Sequence, residues 1–519
     1  MPKGAREVLL VAVLSVVVMA STLIPYLLHG SFRPFGLQHS GLEFNIGDQL
    51  TYLMWTNQVR RGGHEVANLY VHDADDRFLP HPLWWAVGMA ARVMPFRTVV
   101  VYHAARLLLG VAYLLLAFAL AKRLWQAATT VWTAWGLVAL GGGLAWLDEP
   151  LSALLGPGAR PADTWIPELW AYPSLLRYPH FAASLLLLAG AALCTIRGWQ
   201  DRRWVIGGGL SLSLLALVHP YTAVTFLVVL LLHVPWARLT TRAWRPFLPA
   251  NLGVAFLGLA GFGLQYWQLR AHPSLSQWFS ANRCPSPPPW SYLLGLGFIG
   301  GFAAWGGWRV CRPGSTPENL ERVPADAEGG SRQGVSVLAV GQRALLCAWV
   351  AAVIVLAYSG LPFERRCVEG AHLPLCLLAA PAVVALARRL VSKRPQYLRL
   401  GIAGLVLACS PASAWHLWTD VESPVGYVPP AVFTAEQAAY AAFGSNTRVL
   451  ARWDLGRWLA AEGRVRIYAG HDQLTSEFDA KDAHVRRFFD ARLGAARRLA
   501  LLGALSCNVV VAAGPDAAM

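Results

Sequence analysis

Residues 7–29 read EVLLVAVLSVVVMASTLIPYLLH, an apolar run whose only formal charge is Glu7 at its first position. At 1.5 Å per residue it is long enough to cross a hydrocarbon core of about 30 Å. Its flanks decide how it is read. Lys3 and Arg6 stand before it, and after it comes a loop, about 30–81, that carries Glu43, Asp48, Glu65, Asp73, Asp75 and Asp76. Two basic residues followed by an apolar run ending near Val18-Met19-Ala20 resemble a cleavable signal, but this run continues through Ile24 and Leu28. Either reading exports the loop that follows. Carboxylates kept at a membrane surface, in a chain otherwise built for lipid, point to chemistry rather than to packing.

Apolar runs of similar length recur along the chain. Of its 519 residues 55% are hydrophobic and only 14% charged, which excludes an ordinary soluble domain and predicts a polytopic α-helical membrane protein. About eleven spans are expected, near 7–29, 98–121, 128–147, 174–196, 204–219, 221–237, 247–269, 289–308, 343–361, 372–390 and 398–418. The 23 Trp residues fit headgroup-level anchoring, where an indole is half buried and its N–H stays wet. Lys3, Arg6, Lys122, Arg123, Arg197, Arg202, Arg203, Arg238, Arg242, Arg245, Arg309, Arg312, Arg388, Arg389, Lys393, Arg394 and Arg399 fall at span ends on one side. That side is expected to be cytoplasmic, which puts the N-terminus inside and the C-terminal region outside a cell membrane. The net charge of +15 is then a topology signal. It forms no contiguous basic face of the kind that tracks a phosphate backbone, so no nucleic-acid partner is expected.

Two segments lack the spanning pattern. Residues 313–341, rich in Pro, Gly, Glu and Ser, read as a cytoplasmic linker. Residues 419–519 alternate short strands, expected at Arg448–Ala451, Arg464–Tyr468 and Asn508–Ala512, with helices at Leu455–Glu462 and Lys481–Leu505. The expected organisation is a membrane bundle over 1–418, including the loop 30–81, and a small extracytoplasmic α/β domain over 419–519. The eight Cys form no CxxC pair and no metal spacing. Cys284 and Cys367 both fall outside, where a disulfide is left open.

Seven local motifs then appear in order: Gly47-Asp48-Gln49-Leu50-Thr51-Tyr52-Leu53, Asn68-Leu69-Tyr70, Trp165-Ile166-Pro167-Glu168, Arg177-Tyr178-Pro179-His180-Phe181, His219-Pro220-Tyr221, Pro362-Phe363-Glu364-Arg365-Arg366 and Gly470-His471. With the acidic first outer loop, the span count and the exported C-terminal region, their order resembles the GT-C-fold integral-membrane glycosyltransferases of bacteria. The resemblance covers most of the chain and rests on the order of the motifs, since each alone is weak. It implies a GT-C-like bundle that takes a sugar from a polyprenyl-phosphate-linked donor and passes it to an exported acceptor, whether an envelope glycan, a lipid or a protein. Membrane lipids are the surrounding partners. The competing class is a transporter or flippase for a lipid-linked or polar solute, but the two halves of the chain show no convincing internal repeat of the kind transporters carry.

The resemblance makes Asp48 the general base or acceptor-positioning group. Chemistry agrees, because inverting transfer needs a carboxylate to take the acceptor proton while a phosphate leaves from the opposite face. Asp48 also precedes an apolar stretch, Leu50–Val59, so capping a helix is its alternative role. Glu43 is the reserve catalytic residue. Asp73-Ala74-Asp75 spells a DxD that could hold a divalent cation, the one cofactor left open, although a solvated loop is the simpler account. Trp453-Asp454-Leu455-Gly456 is faintly similar to the WWDYG signature of oligosaccharyltransferases, with Arg452 and Leu455 in place of its first Trp and its Tyr. Asp454 is better read as a helix cap.

Among cations, Arg365 and Arg366 can offer a fork of N–H donors to a lipid phosphate, or else pair with Glu364 and Glu369. Arg177, His180 and His219 fall at outer span ends as candidate lining of the same site, as does His471 of the C-terminal region. Arg106, inside a span, is expected to face an aqueous cavity or a carboxylate.

Overall fold

A computed structural model describes residues 3–32, 34, 36–71, 76–156, 158, 160–311, 332–423, 425–428 and 447–512. Among the described residues, seven helices are long and apolar enough to cross a membrane: Gly4–Ser21, Thr98–Leu124, Pro179–Gly198, Pro220–Thr241, Leu248–Ala271, Val337–Ala357 and Glu364–Leu390. Two bent pairs, Ala128–Leu140 with Ala145–Leu155 and Pro395–Ala408 with Pro411–Glu422, raise the number to nine if each pair is one span. The chain is a multi-pass helical membrane protein.

The other two expected spans correspond to helices of a different kind. Arg203–Val218 is only 16 residues long. Pro289–Cys311 is kinked at Gly297, whose φ of 51° lies in the left-handed region. The kink frees two carbonyls that find other donors: Leu294 O accepts from Leu144 N at 3.2 Å, and Gly295 O from Trp170 Nε1 at 2.8 Å. Such replacement of the helical ladder is what lets a helix bend within lipid. Gly143 is required here, because a Cβ on it would lie 1.9 Å from Gly295 O.

The chain divides into two compact units. The first comprises Met1–Ile24, Arg106–Gly263 and Cys284–Thr419 and is the helical bundle. Several of its helices start at a proline, and the residue before each is pushed out of the helical region. Tyr178 (φ −135°, ψ 135°) precedes Pro179, and His219 (φ −148°, ψ 83°) precedes Pro220. This local rule places Arg177, His180 and His219 at helix ends instead of along helix flanks.

The second unit comprises Pro25–Ala105, Leu264–Arg283 and Asp420–Met519. The first loop and the C-terminal region share one core in it, where Leu50, Met54, Trp55 and Val59 of the helix Ile46–Arg60 pack with Leu455, Leu459, Val465 and Ile467. A short antiparallel pair, Gln38–His39 with Tyr427–Val428, ties the same two regions together. The C-terminal strands form a three-stranded parallel sheet with Arg448–Leu450 between Arg466–Ile467 and Val509–Val510, close to where the sequence placed them. The helical stretch expected over Lys481–Leu505 consists of two helices, Phe478–Phe488 and Ala495–Ala504. Asp490 interrupts it by accepting the Arg492 N–H at 2.9 Å, and Gly494 precedes the second helix in an extended conformation.

Candidate active site

In the second unit, Asp48 lies in the first turn of Ile46–Arg60, and the residue at the cap position is Asn45. The capping role for Asp48 therefore gives way to a different arrangement. Asn45 Nδ2 donates to Asp48 Oδ2 at 2.7 Å, and His471 Nε2 lies 3.6 Å from Asp48 Oδ1. His471 is nearly buried, whereas 36% of the Asp48 side chain is exposed, so the carboxylate is held from below and open above. The backbone N–H of Gln473 donates to His471 Nδ1 at 3.2 Å, which leaves the ring proton on Nε2, the nitrogen that faces Asp48. The Asp472 carboxylate, 70% exposed, also approaches Nδ1 at 3.0 Å. The Gln473 contact has hydrogen-bond geometry, so it sets the tautomer.

Arg457, absent from the sequence reading, and Tyr70 of the Asn68-Leu69-Tyr70 motif complete this neighbourhood. A Cβ on Gly47 would lie 3.1 Å from Arg457 Nη1 and 3.7 Å from His471 Nε2, so the bare glycine lets both side chains close over the helix start. The Arg457 guanidinium stacks 4.2 Å above the Trp453 ring, and its buried Nε has no hydrogen-bond partner among the described residues. Burial lowers its pKa, and the charges of Tyr70, Asp454 and Asp472 oppose that. Tyr70 is fully buried and receives the Thr51 hydroxyl at 3.4 Å. Burial pushes its phenol up to about 12, so it stays neutral. The i,i+4 spacing of Trp453 and Arg457 was the local signal for this stack. Nothing local connected it with Gly47. Asp454, expected as a cap, lies inside the first turn of Trp453–Ala461, where it accepts its neighbour's Leu455 N–H at 2.9 Å.

Glu43 has no open face. It is 1% exposed and accepts from His39 Nε2 at 2.6 Å, from His29 Nδ1, and from Val425 N at 3.2 Å. The His29 Nδ1, His39 Nε2 and Glu43 ligand atoms lie within 4.8 Å of one another, a spacing compatible with a cation. The second nitrogens argue otherwise for His39, whose Nδ1 accepts the Gly41 N–H at 3.3 Å and so leaves a proton on Nε2 for Glu43. His29 differs: its Nε2 donates to Val421 O at 2.9 Å, and its Nδ1 is the nitrogen turned toward Glu43. Asp73 and Asp75, the other candidate cation ligands, lie outside the described residues. Asp76 receives the Ser274 N–H and hydroxyl at 2.9 and 2.5 Å and His272 at 2.8 Å. Burial would raise its pKa, but these bonds outweigh it and hold the carboxyl below its ordinary range.

In the bundle, the turn 364–369 is anchored through Cys284, whose backbone N–H donates to Pro362 O at 2.7 Å and whose carbonyl accepts from Arg365 N at 3.1 Å. Cys284 and Cys367 are both free thiols, so the disulfide left open by the sequence is not formed. The two arginines separate. Arg366 Nη1 pairs with buried Glu168 at 3.0 Å. Arg365 stacks on Trp165 with its guanidinium 5.2 Å from the ring centroid and has no ion pair among the described residues.

The glutamates expected as partners are engaged elsewhere. Glu364 accepts from Ser286 N at 2.8 Å and Gly360 N at 3.0 Å. Glu369, fully buried, takes His219 Nδ1 at 2.6 Å and the Thr222 hydroxyl at 3.0 Å. Its Oε1 has no hydrogen-bond partner among the described residues. His180 lies parallel to His219 with ring centroids 6.4 Å apart, so these two do come together, and Arg177 Nη2 approaches His416 Nδ1 at 3.5 Å.

Arg106 is fully buried and donates to Thr22 Oγ1 at 2.8 Å and Leu175 O at 2.7 Å. At that burial its guanidinium has no face on solvent.

Below the turn runs an apolar groove of about 260 Å³, walled by Leu169, Leu293, Leu296, Val350, Ile354, Val368 and Leu375 among others. Its upper lip is contiguous in sequence with the charged groups, Leu169 following Glu168 and Val368 standing two residues after Arg366. Tyr292 of the same wall lies within the electrostatic reach of Arg365 and Glu168.

No protein-family model and no curated protein matches the sequence. Solved structures do match it. The oligosaccharyltransferase AglB of Archaeoglobus fulgidus, in complex with an inhibitory peptide and a dolichol-phosphate, superposes over 98% of this chain and 70% of its own, with TM-score 0.52 and 11% identity. ArnT of Cupriavidus metallidurans bound to undecaprenyl phosphate covers 92% of this chain and 88% of its own, with TM-score 0.53 and 13% identity, and the apo form of ArnT covers 96% and 95% at TM-score 0.52 and 13% identity. At these identities the likeness defines the fold. The chain has a GT-C-like fold, the one it shares with AglB and ArnT.

Proposed function

We propose that the chain is an integral-membrane glycosyltransferase that moves a sugar from a polyprenyl-phosphate-linked donor to an exported acceptor. The observation that carries the reading is an apolar groove whose wall residue Tyr292 lies within the electrostatic reach of Arg365, a guanidinium with no ion pair among the described residues. An isoprenoid needs the first and its phosphate the second, and the ion pair between Arg366 and Glu168 leaves Arg365 as the cation for the phosphate. The ring behind Arg365 holds its fork flat, which favours two parallel hydrogen bonds to phosphate oxygens.

In this reaction Asp48 takes the proton from an acceptor hydroxyl as the acceptor oxygen bonds to the anomeric carbon. The bond from that carbon to the phosphate oxygen breaks, and the polyprenyl phosphate leaves with the electron pair against Arg365. Asn45 orients the carboxylate through its Nδ2–H, and His471 Nε2 stands 3.6 Å from its other oxygen. The reading also takes Arg203–Val218 and Pro289–Cys311 as crossings, giving about eleven, with the N-terminus cytoplasmic and the loop 30–81 and the C-terminal region outside.

Donor binding tests it. The purified chain in nanodiscs should bind a photoreactive polyprenyl-phosphate sugar saturably, crosslink along 289–296 and 350–358, and lose saturation in Arg365→Gln. Crosslinking of Arg365→Gln as efficient as that of the wild type would sink the assignment.

A further inference from the structure

The helix Thr98–Leu124 begins at the wall of a cavity of about 390 Å³ inside the second unit. Volumes of this order accommodate small-molecule ligands. The cavity is lined by three guanidinium groups, Arg60, Arg61 and Arg97, against one carboxylate, Glu462. Glu462 is committed to Arg61 at 3.3 Å.

Arg60 is held by neutral partners in a chain of hydrogen bonds: its Nη1 donates to Thr98 Oγ1 at 3.0 Å, that hydroxyl to Asn57 Oδ1 at 2.5 Å, and Asn57 Nδ2 to Ala461 O at 2.7 Å. The scaffold fixes the guanidinium without neutralising it. The start of the long helix adds a second positive contribution. Val100 and Val101 N–H close on Arg97 O at 2.9 and 3.4 Å, whereas the Thr98 and Val99 N–H groups have no acceptor among the described residues and stand at the cavity wall. The first N–H groups of a helix carry its positive end and favour an anion.

We infer that this cavity binds a phosphate oxyanion, the ligand whose charge and acceptor geometry match forked guanidinium donors and a helix start. Thr98–Leu124 is a candidate membrane span, so its first turn lies at headgroup depth, where the phosphate of an anionic lipid is the abundant source. The site is separate from Asp48. Both residues lie on Ile46–Arg60, where twelve positions at 1.5 Å each set Asp48 and Arg60 about 18 Å apart, and the inference does not depend on sugar transfer.

The test uses the full chain purified in detergent. Native mass spectrometry counts bound dioleoylphosphatidylglycerol, and soluble glycerol 3-phosphate is added as competitor. One tightly held lipid per chain is expected, weakened at least tenfold in Arg97→Gln and Arg60→Gln and unchanged in Arg283→Gln, an exposed arginine outside the cavity. Arg97 is itself exposed, so its variant folds, and thermal unfolding of each variant verifies this. Displacement by glycerol 3-phosphate would assign recognition to the phosphate alone, and lack of displacement would assign it to the membrane-held lipid. Undiminished lipid binding in both cavity variants, or an equal loss in Arg283→Gln, would overturn the inference.

Discussion

The turn 364–369 of the bundle and the neighbourhood of Asp48 in the second unit handle charge in opposite ways. At the turn, Glu168, Glu364 and Glu369 are all engaged, with Arg366, with backbone N–H groups and with His219 respectively, and Arg365 has no ion pair among the described residues. Around Asp48 the neighbouring His471 is nearly buried, and a third of the carboxylate side chain faces solvent. A departing phosphate needs the first arrangement and an acceptor hydroxyl the second. The difference teaches that the free group in each region, rather than the number of charges there, marks its task.

The sharpest way to break this contrast is to neutralise the free groups. Asp48→Asn should lower sugar transfer by about 10² to 10⁴, the usual span for loss of a general base, and leave donor binding intact. A wild-type rate measured in the same donor-saturated assay would remove the base assignment. The paired arginine should behave differently from the free one. Arg366→Gln strands the Glu168 carboxylate, 5% exposed, and should cost about 3–5 kcal/mol of stability, read as a fall in melting temperature. Arg365→Gln should leave the melting temperature unchanged and weaken donor binding by about 1.5–3 kcal/mol, the worth of a hydrogen bond to a charged group. Equal behaviour of the two variants would erase the distinction drawn between them.

Smaller effects sharpen the picture of each scaffold. A Cβ at Gly470 would lie 2.3 Å from the Tyr70 ring, so Gly470→Ala should cost about 1–3 kcal/mol by overpacking and displace His471, visible as a loss of transfer without loss of donor affinity. In the bundle, Asp163 is buried and burial pushes its carboxyl up to about 8, against the Ala145 and Gly143 N–H groups that bond it. The folded state thus keeps a proton that the unfolded chain has lost above 3.8. Stability should fall as pH rises from there to about 8, by up to about 1.4 kcal/mol per pH unit, and Asp163→Asn should flatten the profile. A melting temperature of the wild type that rises over pH 5–8 would contradict it.

Most of the helices were legible because an apolar length is a local property. Pro179 and Pro220 fixed the helix starts that present His180 and His219 for the same reason. The kink of Pro289–Cys311 was not legible, since it depends on Gly143 and Trp170 meeting the freed backbone from far along the chain. Asp48 could be picked out from its motif, but the features that make it interpretable, Asn45 apart, come from residues more than 400 positions away, His471 and Arg457. The pairing of Arg366 with Glu168 was hidden for the same reason: sequence proximity favoured Glu364 and Glu369, and the fold had used both.

The central claim is that a free cation and a free carboxylate serve the two ends of one sugar transfer. Release of labelled sugar from a polyprenyl-phosphate donor by the purified chain in nanodiscs tests it most directly, with wild type, Arg365→Gln and Asp48→Asn compared across donor concentration. The account predicts saturable turnover for the wild type, a raised half-saturation concentration for Arg365→Gln, and saturable binding with little turnover for Asp48→Asn. Turnover that is absent in the wild type across donor sugars, or unchanged in both variants, would contradict it.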